Sequence, residues 1–173
     1  PSRENIATDD VFNKMLLDEA SKLLANTLLE IRGLGLLDNQ FIDLLPNSED
    51  DLKAFYEPLK SATLEAFRSN ALVPAASKGK HLRVGEAVIG PGTLRGVVGP
   101  DELGFFLEEE DMNWTAGVRP NSRHKRFFED LEVEVFDWDA LGPVLRDRFG
   151  KGDVWEDDRS WLAQRSDKWL KKF

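Results

Sequence analysis

Residues 8–35, TDDVFNKMLLDEASKLLANTLLEIRGLG, constrain the fold of this chain most. Val11, Phe12, Met15, Leu16, Ala20, Leu23, Leu24, Leu28 and Ile31 recur at three- and four-residue steps, which predicts a long amphipathic helix with a broad apolar face. Asn13, Lys14, Asp18, Ser21 and Lys22 form the other face. Thr8 is the expected N-cap, with Asp9 and Asp10 in the first turn, where the helix dipole favours negative charge. Gly33 and Gly35 supply a C-terminal stop. An apolar face of this breadth calls for burial against a partner and marks a packing element rather than a catalytic one.

A second helical stretch follows. Residues 39–46, NQFIDLLP, read as one apolar turn ended by Pro46. Ser48 is the expected cap of the next helix, in which Leu52, Phe55, Tyr56, Leu59, Thr63, Ala66 and Phe67 keep helical spacing up to Asn70. Pro58 should kink or split it. Residues 1–70 are therefore expected to form a helical hairpin or bundle with antiparallel neighbours.

The pattern changes at Ala71. Leu72-Val73-Pro74 and His81-Leu82-Arg83-Val84 read as short strands around a polar turn. Residues 93–98 suit a brief helix or strand, and Pro100 opens a helix expected to run to about Asp111. Residues 119–122 are a loop and 123–131 a helix; Glu132 to Phe136 alternate as a half-buried strand. Asp137 or Asp139 caps a helix over 140–149 with Leu141, Val144, Leu145 and Phe149 inward. The whole is a helix-rich α+β chain, with a small sheet of few short strands and flanking helices over 71–150 and a C-terminal helical extension over 151–173. A start on Pro1 and a stop at Phe173, just after the capped start Ser166-Asp-Lys-Trp-Leu, suggest a piece of a longer polypeptide.

Composition narrows the function classes. A net charge of −9 disfavours general binding to nucleic-acid backbone or to an anionic membrane, both of which need clustered cations. The absence of Cys removes thiolate catalysis, disulfides and Cys-ligated zinc, and fits a reducing, cytoplasmic setting. No apolar run approaches the roughly 18 residues of a membrane span.

No motif for catalysis stands out. Gly90-Pro-Gly92 and Gly96-Val-Val-Gly99 match neither phosphate-binding pattern and read as loop punctuation. His81 and His124, the only histidines, lack the spacing of a zinc site. Glu108, Glu109, Glu110 and Asp111 could ligate Mg²⁺ but lack a calcium-loop pattern, and they read as exposed helix surface. Asp137 and Asp139 fit capping better than paired-carboxylate chemistry. Arg123, His124, Lys125 and Arg126 form the one basic run, read as a solvated helix face with a possible interaction role for Arg123, Lys125 and Arg126. Phe12 and Met15 on the first helix, and Trp161 and Trp169 near one face of the last, are the candidate apolar contact residues. No catalytic, cofactor-binding or metal-binding residue is assigned.

Several stretches resemble one family. Residues 2–38, SRENIATDDVFNKMLLDEASKLLANTLLEIRGLGLLD, are similar to a segment of large bacterial proteins with a sacsin-like, histidine-kinase-type (GHKL) ATP-binding domain. Residues 70–79, NALVPAASKG, 126–133, RFFEDLEV, and 166–170, SDKWL, resemble further stretches of the same family; Ala75 departs from its usual Thr. The resemblance implies a chaperone-like or regulatory ATPase as the parent, with this chain lying downstream of the ATPase domain. ATP and Mg²⁺ would belong to the parent alone, because the nucleotide-binding motifs are missing here. Other domains of the same chain, or a client protein, are the implied partners. On this reading residues 2–13 are a junction, and some of Ile6, Val11, Phe12 and Met15 should be uncovered. The rival expectations are a small Mg²⁺-dependent enzyme or nuclease using acidic residues, and a nucleic-acid-binding module using Arg119, Arg123, Lys125 and Arg126.

Overall fold

The computed structural model describes residues 7–149. The C-terminal extension, with Trp161 and Trp169, and the junction residue Ile6 lie outside them. The described chain is the expected helix-rich α+β fold: seven helices among the described residues and five short strands.

Helix α1 spans Val11–Gly33. Its N-cap is Asp10 rather than Thr8: the Asp10 carboxylate accepts a hydrogen bond from the Asn13 amide at 3.0 Å. The Asn13 side chain also donates to the Ala7 carbonyl at 3.0 Å, tying the lead-in to the first turn. Gly35, at φ +71°, provides the left-handed stop, which an L side chain adopts only at a cost. A short helix α2, Asn39–Ile42, is capped by Asp38.

Ser48 does not start a helix. The Asn47 side chain accepts from the Glu49 amide, and Asp50 accepts from the Asn47 amide, both at 2.9 Å, so 47–50 closes on itself as an Asx-type turn. Such local bonds compete with helix formation at this point. Helix α3 begins later, at Glu57–Ser69, after a 3₁₀ turn over Ala54–Tyr56. Pro58 therefore sits in the first turn of α3, where its missing N–H costs nothing, and does not kink it.

The expected antiparallel pairing of α1 and α3 gives way to a parallel one. At one end, the Arg32 guanidinium donates to the Ala71 carbonyl at 3.2 Å, so the two C-terminal ends meet. At the other, Leu17 and Asp18 line the same groove as Ala54, Phe55 and Pro58. The connection over 34–53 is long enough to carry the chain back, which a short loop could not do.

Strands β1, Val73–Pro74, and β2, His81–Leu82, pair antiparallel as expected. Two further strands were not read from the sequence. Strand β3, Ala87–Ile89, is wholly buried at the centre of a parallel sheet of order β4-β3-β5, with β4 at Asn113–Trp114 and β5 at Glu134–Val135. Helices α4, Gly92–Arg95, and α5, Pro100–Leu107, form the crossover from β3 to β4. Helix α6, Arg123–Asp130, forms the crossover from β4 to β5. An antiparallel bridge, Ala75 to Thr115, joins the hairpin to β4.

Helix α5 stops at Leu107, short of Asp111, because Glu108 turns left-handed at φ 57° and its amide donates to the Gly104 carbonyl. The acidic run 108–111 is thus an exposed turn and not a helix surface. Helix α7, Trp138–Phe149, is capped by Asp137, whose carboxylate accepts from the Ala140 amide at 2.9 Å.

Two apolar clusters hold these elements. One joins Leu28, Leu37, Ile42 and Phe67 to Leu72, Val73, Leu82, Phe127 and Phe128. The other packs Val88, Leu94, Leu103, Phe106, Trp114, Phe136 and Leu141 around the parallel sheet. Gly90, at the end of β3, lets the second cluster close. A Cβ there would strike the Trp114 ring and stand 2.7 Å from the Phe136 carbonyl oxygen. Gly90→Ala is therefore expected to cost about 1–3 kcal/mol by overpacking. Urea unfolding followed by Trp fluorescence measures it, and a loss within about 0.5 kcal/mol would show that the sheet yields without strain.

Candidate interaction site

Helix α1 presents two faces with different fates. At about 100° per residue, Leu17, Ser21, Leu24, Leu28 and Ile31 share one side, which rests on the protein. Leu28 is fully buried, Ser21 is buried with its hydroxyl donating to the Leu17 carbonyl at 2.8 Å, and Leu29 and Ile31 pack on the core. The opposite side carries Phe12, Leu16, Glu19, Leu23, Asn26 and Glu30 at four- and three-residue steps, all exposed.

The apolar members of that second side, with their neighbours, are uncovered among the described residues. Val11 is 82% exposed, Phe12 60%, Met15 53%, Leu16 49% and Leu23 68%. Only part of the apolar arc is therefore buried within the described residues, and the exposure of Val11, Phe12 and Met15 meets the expectation that some of these side chains stay uncovered. Length explains part of it. Helix α3 has 13 residues against 23 in α1, so at about 1.5 Å per residue the first turns of α1 overhang. Beneath the overhang lies a groove of about 620 Å³ lined by Thr8, Lys14, Leu17, Lys53, Phe55 and Pro58, among others. Along the same helix, the Lys22 ammonium sits 2.7 Å from Asp18 and 2.9 Å from Glu19, and these two carboxylates hold its pKa well above the usual lysine range.

The cations of the basic run on α6 are partly exposed, as expected for a solvated face, but each is also paired, and His124 is buried. Arg123 grips the return segment: Nη1 and Nη2 each donate to an Asp50 carboxylate oxygen at 2.8 Å, Nε donates to the Asp43 carbonyl at 2.8 Å, and Nη2 also donates to the Leu45 carbonyl at 3.2 Å. The Arg123 hydrogen bonds, helped by the Asn47 amide, lower the Asp50 pKa to about 2. Arg126 reaches Glu49 at 2.8 Å and Glu129 at 3.0 Å, and Lys125 reaches Glu129 at 3.2 Å. Arg119 lies 3.8 Å from Asp43. Each cation that could have contacted a nucleic acid here already has a carboxylate neighbour.

His124 is 1% exposed. Its Nδ1 lies 2.8 Å from an Asp43 carboxylate oxygen, and its backbone amide donates to the same oxygen at 2.7 Å. Burial pushes the Asp43 carboxyl up, but the His124 hydrogen bonds and the nearby charges outweigh it and hold the group below the usual carboxylate range. Ser122 Oγ is 3.0 Å from His124 Nε2, so Ser122, His124 and Asp43 stand in the order of a nucleophile, a base and an orienting acid. The surroundings oppose that chemistry. The Arg119 amide donates to Nε2 at 3.3 Å, the Ser122 hydroxyl donates to the Arg119 carbonyl at 2.7 Å, and Ser122 accepts from the Lys125 amide as the α6 N-cap. With the ring sealed from solvent, the trio ties the loop over 119–122 to α6 and to Asp43.

The remaining candidates do not assemble into a site. Among the described residues, no group of three or more His, Cys, Asp or Glu side chains is placed to hold a metal ion. No helix among them is long and apolar enough to cross a membrane. Phe12 and Met15 sit on α1 while Arg123, Lys125 and Arg126 sit on α6, so the structure does not bring these residues into one cluster. Sequence reasoning missed Leu16 and Leu23 as uncovered residues and missed Asp43 and Asp50 as partners of α6. The breadth of the α1 apolar arc was a usable signal for the first pair; nothing local marks the second. Comparison with protein-family models, curated proteins and solved structures gives no match.

The clamp on the return segment makes a pH prediction. Asp50 has a folded-state pKa near 2, below its ordinary 3.8, so its contribution is complete above pH 4 and is lost as pH falls toward 2. Asp50→Asn should cost about 1–2 kcal/mol at pH 7, allowing for the partial exposure of the pair. The difference from the parent chain should shrink between pH 4 and 2 in parallel urea titrations. A difference that persists unchanged at pH 2 would remove the charge of Asp50 as its cause.

Proposed function

We propose that this chain is a non-catalytic scaffold or interaction segment that engages another domain of a longer polypeptide, or a partner protein, through the uncovered side of α1. One observation carries the reading: Val11, Phe12, Met15, Leu16 and Leu23 stand exposed on a helix whose opposite side is anchored in the core. Contiguous exposed apolar residues on a folded surface mark interaction sites more often than chance. The resemblance to sacsin-like GHKL proteins supports a place downstream of an ATPase domain in a chaperone-like or regulatory parent. ATP and Mg²⁺ then act in that domain, and no residue of this chain is assigned to them.

The enzyme and nucleic-acid readings have less support. The first has no convergent carboxylate cluster among the described residues, and the second needs cations that already face carboxylates.

The reading is tested with Phe12→Asp combined with Leu16→Asp. Because both side chains face solvent, the pair should change stability by less than about 1 kcal/mol, whereas Leu28→Ala should cost about 2–5 kcal/mol. In calorimetric titrations against the rest of the parent polypeptide, the same pair should weaken association at least tenfold. Binding that is untouched, or a double variant that fails to fold, would sink the proposal. Nucleotide binding by this chain alone would contradict the placement of the ATP site elsewhere.

A further inference from the structure

The uncovered side of α1 also indicates what kind of partner fits it. Phe12, Leu16, Glu19, Leu23, Asn26 and Glu30 follow steps of four, three, four, three and four residues. That is the period of a helix–helix seam, in which every second layer advances by seven residues. The apolar layers alone would accept many surfaces. The polar layers narrow the choice, because Glu19 and Glu30 lie in the seam itself and both are exposed.

A helix docked along this seam covers Glu19 and Glu30. A carboxylate taken out of water without a cation is costly, so the partner must bring one to each layer. Lys22 does not remove the need: it is shared by Asp18 and Glu19, which leaves that turn with net negative charge, and Glu30 lies further along the helix. The two acidic layers are eleven positions apart in sequence, or about 16 Å along the axis. Asn26, between Leu23 and Glu30, favours a polar residue opposite it, the device by which buried Asn fixes register in such pairs.

Pairing with a second copy of α1 fits this pattern poorly. In a parallel pair Glu19 faces Glu19 and Glu30 faces Glu30. In an antiparallel pair centred on Glu19 it again faces itself, and in one shifted by half a layer it faces Leu16. None of these arrangements places a cation in the seam.

Resting on the interaction reading above, we infer that the occupant of this face is an amphipathic helix of another protein or domain, apolar opposite Phe12, Leu16 and Leu23 and bearing Lys or Arg opposite Glu19 and Glu30. The charged layers act as a selectivity filter, admitting basic helices and rejecting acidic ones.

The test uses the full chain and labelled synthetic helices of about four heptads. Their seam reads Leu, Leu, Lys, Leu, Asn, Lys, in that order and reversed, with Glu replacing Lys in the controls. Fluorescence anisotropy should show the Lys helix, in one order, binding at least tenfold tighter than its Glu counterpart at low salt, with the gap shrinking at high salt. Glu19→Lys with Glu30→Lys should invert the preference, and Phe12→Asp with Leu16→Asp should abolish binding of either helix. Equal binding of Lys and Glu helices, lost in the Phe12/Leu16 variant, would overturn the charge filter while leaving the interaction face standing. Binding that survives the Phe12/Leu16 change would overturn both this inference and the face it rests on. A concentration-dependent dimer dissolved by Leu16→Asp would replace the basic helix with a second copy. Binding that appears only after Trp161→Ser with Trp169→Ser would assign the face to the chain's own C-terminal segment.

Discussion

The grip of α6 on the return segment is the interaction on which the rest of the arrangement depends. Arg123 and His124 hold Asp43, Leu45 and Asp50 through one bidentate ion pair and several hydrogen bonds to carboxylate and carbonyl oxygens. These residues lie in the connection that carries the chain from the C-terminal end of α1 back to its N-terminal half. Fixing that connection sets where α3 starts, and so makes α1 and α3 run parallel. Exposed ion pairs contribute little, but here planar bidentate geometry combines with a buried imidazole and backbone acceptors. Of its members only His124 is sealed from water, so losing Asp43 would leave a buried imidazole short of a partner, whereas the half-exposed Arg123–Asp50 pair can fall back on solvent.

The clamp works because α6 is itself anchored. Phe127 and Phe128 are fully buried, and Phe127 packs edge-to-face on Phe67 of α3 with ring centroids 4.9 Å apart. Helix α6 thus contacts the helical layer with its apolar side and the return segment with its basic N-terminal turn. The same helix links β4 to β5, so the parallel sheet and the helical layer are joined through it. Ser122 sets its start, and the Arg119 carbonyl and amide both bond to this corner, which leaves the loop before α6 little freedom.

Local signals made much of this fold legible. Gly35, Pro100, the loop-to-helix boundary at 122–123 and the hairpin around 74–81 were readable because turns, glycines and prolines act within a few residues of themselves. The strands β3 and β4 were not readable: two or three residues in strand conformation carry no period, and unlike β1 and β2 they are not joined by a local turn. Val88 is a central strand residue only because Trp114 and Glu134 flank it from distant parts of the chain. The α1–α3 direction failed for a related reason: it is set by Asp43 and Asp50 meeting α6 roughly eighty positions later, a pairing no spacing rule encodes. At the candidate site, Phe12 and Met15 were legible as apolar helix residues. Uncovered residues near the start of α1 were expected only through the family resemblance; that exposure reaches Leu16 and Leu23 was not legible, because it follows from the length and position of α3.

That geometry gives α1 an uneven hold on the protein. Its second half is pinned by Leu28, Leu29 and Ile31 in the core and by Arg32 at the Ala71 carbonyl. Its first turns rely on the Asp10 cap, worth about 0.5–2 kcal/mol, and on the exposed Asn13 bond to Ala7. A helix end held so lightly opens locally at small cost. An occupant that covers Phe12 and Leu16 would remove apolar area from water and, in the same step, hold the first turns in helical form. Part of its binding energy must therefore go into ordering, so affinity at this face depends on how well the first turns are already formed. Glu30 lies in the better-anchored half of α1, whereas Glu19 shares the lightly held half with Phe12 and Leu16. Charge selection at Glu30 is thus made on the rigid portion of the helix, while Phe12 and Leu16 supply apolar contact from the portion that can still adjust.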